Sequence, residues 1–165
     1  MSINRTKCVI CSHPLINIHT EPNIPLKLTC TKNIEKSTSS LSIAQCTTCM
    51  TIQNDKLIPL DVLYSNSHNL VSVGNKWKRY FDLFRNTLAP LVQHKTVLEI
   101  GDPSGKLGNH ISGYTKWLIV EPNKNKNVVF NDKIEFIETF FDSTFTTNQH
   151  IDMIVHSHLF EHIYE

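Results

Sequence analysis

The sequence predicts a mixed α/β protein in two parts, a small cysteine-rich module followed by a parallel sheet of the doubly wound kind. Three observations predict it. Two Cys-x-x-Cys pairs, Cys8/Cys11 and Cys46/Cys49, lie within the first 60 residues. From residue 95 short apolar runs alternate with turn and helix signals, the pattern of strands joined by crossovers. Glycines and an acid fall at the ends of those runs, where an open α/β sheet binds its ligands.

Composition bounds the reading. Of 165 residues, 40% are hydrophobic and 19% charged, which is globular and not disordered. A net charge of +1 gives no pull toward nucleic acid or an anionic membrane, and neither is expected as a partner. No apolar run approaches the roughly 20 residues that span a bilayer. The first ten residues lack the apolar core of a signal peptide. Five cysteines without such a signal point to a reducing, cytoplasmic setting, where spaced cysteines are more often metal ligands than disulfides.

Along the chain, three parts are predicted: 1–62, a metal-binding module; 63–94, a linker and amphipathic helix; and 95–165, the sheet. The first part holds all five cysteines and four of the seven prolines, with short apolar alternations and no helical period. A helix is predicted over 75–92, because Trp77, Tyr80, Phe81, Phe84, Leu88 and Leu91 recur at spacings of three and four and so share one face, read as core. Thr96–Ile100 and Trp117–Val120 read as buried parallel strands, with a short helix over 106–111 between them. Lys133–Glu138 and Ile151–Val155 are two further strands, and His158–Tyr164 reads as the opening of a helix.

Each cysteine pair can present two thiolates to one tetrahedral ion, and two pairs close a four-sulfur site with no open position, so the metal would be structural. Two incidental pairs, or a redox Cys-x-x-Cys, are the alternatives. A redox pair would open a helix after a strand, and nothing around Cys8 does so. Cys30 stands alone between the pairs. A module of this size with few large apolar side chains needs such a staple to fold.

Glu99-Ile100-Gly101-Asp102-Pro103-Ser104-Gly105 follows the first buried strand and opens a helix. Glycine there lets backbone approach a ligand, and the helix start offers unpaired N–H groups. Glu121 ends the next strand, where a carboxylate can accept both hydroxyls of a ribose. Together these point to a nucleoside-bearing cofactor. Neither a P-loop nor the dinucleotide G-x-G-x-x-G spacing is present. A tight strand-to-helix turn without a ligand is the alternative.

With these residues in hand, Val97 to Gly105 resembles motif I of the class I S-adenosylmethionine-dependent methyltransferases, and Ile119-Val120-Glu121-Pro122 resembles their second motif. Asp152 to Ile163 resembles their fourth strand and the segment after it, with Phe160 where the pattern has Leu. The cysteine pairs, and Cys46 to Gln53 followed by Leu63-Tyr64-Ser65, are similar to the zinc-binding domain and linker of the group that C-methylates nucleotide-linked deoxysugars. The resemblance implies a zinc-ribbon-like module ahead of a partial Rossmann-like sheet. It implies zinc on Cys8, Cys11, Cys46 and Cys49, and S-adenosylmethionine at Glu99, Gly101, Gly105 and Glu121, with Tyr64 near the active site. Two positions depart from the family: Pro103 replaces the middle glycine of motif I, and Met50 stands where a glycine commonly follows the second knuckle.

His156, His158, Glu161 and His162 cluster near the last strand. The spacing is not H-E-x-x-H, so a second metal is not expected. In the family reading His158, Glu161 and His162 border the cleft as candidate catalytic groups, an imidazole or carboxylate removing a proton beside a sugar carbonyl. Capping and packing of the helix start is the alternative for Glu161 and His162.

The family core has about seven strands, and four are visible here. The resemblance therefore implies a C-terminally truncated fold, with the fourth strand's edge unpaired and faces of the sheet lacking cover. A truncated product, one half of a split enzyme completed by a second chain, and a stretch of a longer sequence all stay open. The expected function is methyl transfer from S-adenosylmethionine to a nucleotide-linked sugar. A non-catalytic remnant or zinc-ribbon interaction module is the alternative.

Overall fold

The computed structural model describes residues 2–25, 38–63 and 74–164, and the chain divides into two compact units, Met1–Ser65 and Asn66–Glu165.

In the first unit, β1 (Ile3–Asn4) pairs antiparallel with β5 (Lys56–Leu57), and β2 (Leu15–Pro25), β3 (Thr38–Cys46) and β4 (Ile52–Asn54) form an antiparallel sheet in that order. A four-residue helix, α1 (Leu60–Leu63), follows. Among the described residues little is buried here: Cys8, Ala44, Cys46, Leu57 and the polar Ser42. One face of the sheet turns inward with Ala44 and Cys46. The other carries Ile16, Gln45 and Ile52 in register, with Ile16 and Ile52 60% and 62% exposed.

The second unit opens with α2 (Asn75–Leu88), then β6 (Thr96–Ile100), α3 (Lys106–His110), β7 (Lys116–Val120), β8 (Ile134–Ile137), β9 (Met153–His156) and a 3-10 turn, Phe160–His162. The four strands make one all-parallel sheet in the order β8-β7-β6-β9. The order reverses between β6 and β9, a topological switch point. Alternation sorts the strand residues onto two faces. Val97, Trp117, Ile119 and Val155 pack with Leu88, Val92, Leu107, Ile111 and Tyr114, under the two helices. Leu98, Ile100, Leu118 and Val120 pack with Phe141, Phe145, Ile151 and Leu159. That second face was expected to lack cover. The irregular stretch between β8 and β9 covers it instead, leaving Leu118 and Val120 0% and 1% exposed. Among the described residues β9 has no neighbour on its outer edge, and Ile154 there is 57% exposed.

Two local expectations need correction. The helix expected over 75–92 stops at Leu88, because Pro90 cannot donate; Leu91 and Val92 instead turn back onto the Leu88 carbonyl. Its shared face is core only toward its C-terminal end. Leu88 is buried and Phe81 and Phe84 pack on the core, whereas Trp77, Tyr80 and Leu91 are 40%, 36% and 48% exposed. Beyond β9 the chain makes one 3-10 turn where a helix was expected to open, because His158 takes a left-handed backbone, φ +51°. His158 and His162 therefore do not share a helical face. No described helix is long and apolar enough to cross a membrane.

Candidate metal centre and carboxyl-edge site

The first unit folds so as to bring its two knuckles together. Lys7 bridges Pro14, which turns Cys8–Cys11 back on itself, and Thr47 N–H donates to the Pro14 carbonyl. The sulfurs of Cys8, Cys11, Cys46 and Cys49 lie within 4.8 Å of one another. Cys8 and Cys49 sulfurs are 3.6 Å apart, and those of Cys11 and Cys46 3.4 Å. A tetrahedral ion with metal–sulfur bonds of about 2.3 Å spaces its ligands roughly 3.8 Å apart. Backbone N–H groups aim at the sulfurs, from Ile10 to Cys8 and from Thr48 and Cys49 to Cys46, each at 3.4 Å. The Gln53 amide adds a donor to Cys8 at 3.2 Å, while its oxygen accepts from Val9 N–H. Burial pushes the Cys8 thiol up, but the N–H groups of Cys11 and Ile10 and the Gln53 amide outweigh it and bring Cys8 to about 6. At Cys11 a backbone contact with His13 favours the thiolate, yet burial and the neighbouring sulfurs win and push it up to about 12. Four thiolates at this spacing cannot all ionise without a cation between them. The cluster can hold a metal ion such as zinc.

Ser12 and Met50 directly follow the two knuckles, and both are left-handed, with φ of 61° and 62°. Position 50 is where the resemblance leads one to expect glycine. The site requires a left-handed backbone there, which glycine adopts freely and methionine does not. Cys30 and Tyr64 lie outside the described residues.

In the second unit the glycine turn joins β6 to α3. Gly101 and Gly105 are both left-handed, with φ of 87° and 59°. A Cβ on Gly105 would lie 2.5 Å from Phe130 Cε1, and one on Gly101 would lie 3.1 Å from Leu159 Cδ1. The bare positions therefore admit the chain's own side chains. Asp102 takes the turn's own donors. Its Oδ1 accepts from Ser104 N–H and Oγ–H, each at 2.8 Å, and its Oδ2 accepts from Lys106 N–H at 2.6 Å. Donors that would otherwise serve an anionic ligand are thus filled by a carboxylate. Pro103 fits this arrangement because it need not donate.

Glu99 points into the first face of the sheet, where its Oε2 accepts from Trp117 Nε1–H at 2.7 Å and the residue is 4% exposed. Burial, then the Asp102 charge, raise its carboxyl well above the usual range, and the indole offsets this in part. Glu99 is therefore placed in the core, against Trp117. Glu121 ends β7 half-buried, its Oε1 accepting from Asn123 N–H at 3.0 Å. Burial raises it, the Asn123 N–H opposes, and the Asp102 charge raises it further, to about 7.

Beyond β9, His158, Glu161 and His162 are exposed. They do not gather with the carboxylates of the turn into one hydrogen-bonded group. His158 packs instead against α2, its ring centroid 5.0 Å from Trp77 and 5.4 Å from Tyr80. The aromatic repeat of α2 was the available signal for that contact, and it was read as core. Among the described residues the four cysteines alone form a group of His, Cys, Asp or Glu close enough to share a metal ion. No family model and no curated protein matches this chain.

Proposed function

We propose that this chain is a class I S-adenosylmethionine-dependent methyltransferase, or its N-terminal part, with a structural zinc ion in a ribbon-like module and a nucleotide-linked sugar as acceptor. The observation that carries it is the carboxyl edge of the parallel sheet, where the turn after β6 fills its own amide donors with Asp102 and Glu121 closes the next strand. That chemistry disfavours a phosphate and suits a nucleoside whose charge is positive. It fits a sulfonium cofactor better than a dinucleotide.

In this reading the cofactor supplies an electrophilic methyl group, and the chain binds, orients and handles a proton. Glu121 accepts the two ribose hydroxyls, which it does best when ionised. His158, with Glu161 and His162 beside it, takes the proton from the acceptor carbon next to a carbonyl. Orientation at the switch point supplies most of the remaining rate. Cys8, Cys11, Cys46 and Cys49 hold zinc in a closed site that takes no part in the reaction.

Titration calorimetry of the metal-quantified protein with S-adenosylhomocysteine tests this. Saturable binding is expected, tightening about tenfold from pH 6 to pH 8 as Glu121 ionises. Absence of binding by a folded, metal-loaded chain removes the enzyme reading and leaves the interaction-module alternative. One observation favours further strands, from a continuation of this chain or from a second one: β9 has no outer neighbour among the described residues, and Ile154 is exposed on it. Parallel sheets are ordinarily covered on both faces. Strands added beside β9 from either source would satisfy that edge.

A further inference from the structure

We infer that Tyr80 is a positioning residue for His158, acting through Ser157; this rests on the proposed reading only for what His158 then does. The Tyr80 hydroxyl and Ser157 Oγ are 2.6 Å apart, a short hydrogen bond between the first half of α2 and the residue just past β9. The next residue, His158, has φ +51°, a conformation that a residue with a side chain holds only where its surroundings fix it. Those surroundings are visible. Trp77 meets the imidazole edge-on at 5.0 Å and 70°, Tyr80 meets it at 5.4 Å, and Trp77 and Tyr80 themselves pack at 89°. Two consecutive residues are thus gripped from one helix, by a hydrogen bond at Ser157 and by ring contacts at His158.

The grip is anchored. Tyr80 packs on Phe81 and Phe84, which rest on the core that Leu88 completes, so the helix presents its aromatic end from a fixed base. It also falls at the carboxyl end of β9, on the far side of the switch point from Glu121, where open α/β sheets place the reacting part of a ligand. Partial exposure of both rings is the mark of a wall and not of a core. An isolated imidazole on an exposed loop would sample many orientations. Here the hydroxyl pair fixes the backbone that carries it.

Tyr80→Phe and Ser157→Ala each remove one half of the pair, and neither empties the core. NMR of the histidine imidazoles is the readout that needs no activity. With His158 assigned through a His158→Gln control, its ring signals are expected to shift or broaden in both variants, and to change no further when the two are combined. Methyl transfer to a keto-sugar nucleotide is the second readout. Both variants are expected to lose about tenfold in kcat with KM within twofold, the double variant losing no more than either single one. Unmoved His158 signals in both single variants overturn the inference, whatever the activity. Shifted signals in a protein that transfers no methyl group leave Tyr80 a positioning residue and remove the function proposed above.

Discussion

The two units are stabilised by opposite means. Among its described residues the first buries four small residues and one leucine, and its centre is a set of sulfurs. The second buries Leu88, Val92, Val97, Trp117, Leu118, Ile119 and Val120 around a parallel sheet, with no metal-ligating group among its described residues. The difference teaches where each unit finds its centre, in a sulfur cluster able to take a metal ion for the first and in apolar burial for the second.

Metal removal is the sharpest way to break that comparison. Chelation, or Cys46→Ser, is expected to unfold the first unit while the sheet keeps its structure, since structural zinc contributes on the order of 10 kcal/mol to folding such modules. Circular dichroism and amide NMR before and after chelation check it; loss of signals from both units together would show that they do not differ in this way. Next in size is Gly105→Ala. It places a side chain at φ 59° and drives it into Phe130, so the second unit is expected to lose about 2–3 kcal/mol in denaturant unfolding, with the metal affinity of the first unchanged.

Glu121 gives a smaller, pH-dependent effect. Its carboxyl is raised to about 7, so the folded state holds a proton that the unfolded chain has released. Its contribution is fully present below about pH 4.5 and is lost as pH rises through 7. Glu121→Gln is expected to remove that slope and to stabilise the second unit by about 1 kcal/mol at pH 8, well under the full shift because the group is only half-buried. Thermal unfolding from pH 4 to pH 8 reads it. Least in size, Met50→Gly relieves the left-handed backbone after the second knuckle and is expected to stabilise the first unit by about 0.5 kcal/mol.

Much of this was legible in the sequence. The four strands and their parallel pairing follow from short apolar runs at Val97, Trp117, Ile134 and Met153, most plainly in β6 and β7, because a strand buried on both faces needs no alternation. The sulfur cluster follows from spacing alone. The side to which Glu99 turns was not legible, because a carboxylate at the end of a strand announces a ligand equally well whether it faces the cleft or a neighbouring indole. The cover over the second face was missed for a different reason. Phe141 and Phe145 lie in a stretch with no sustained helical or strand period, and periodicity is the local signal of burial. Trp77 and Tyr80 were hidden by a true period: the helix is amphipathic, but its face outlasts the core beneath it.

The sheet's connectivity bears on how it comes together and comes apart. The central strand β6 joins β7 after one crossover through α3, Thr96 meeting Lys116, but joins β9 only after the chain has traversed β7, β8 and the irregular stretch, Val97 meeting Met153. The closure entropy of that longer loop must be met before its contacts repay it, so β9 docks last. Like β8 it has one neighbouring strand among those described, but with the longer loop to close it is the strand that opens first in local fluctuations, ahead of global unfolding. Amide exchange should therefore be fastest, among the sheet residues, at Ile154 to His156, and any ligand that touches His158 will slow it there before it slows it anywhere else.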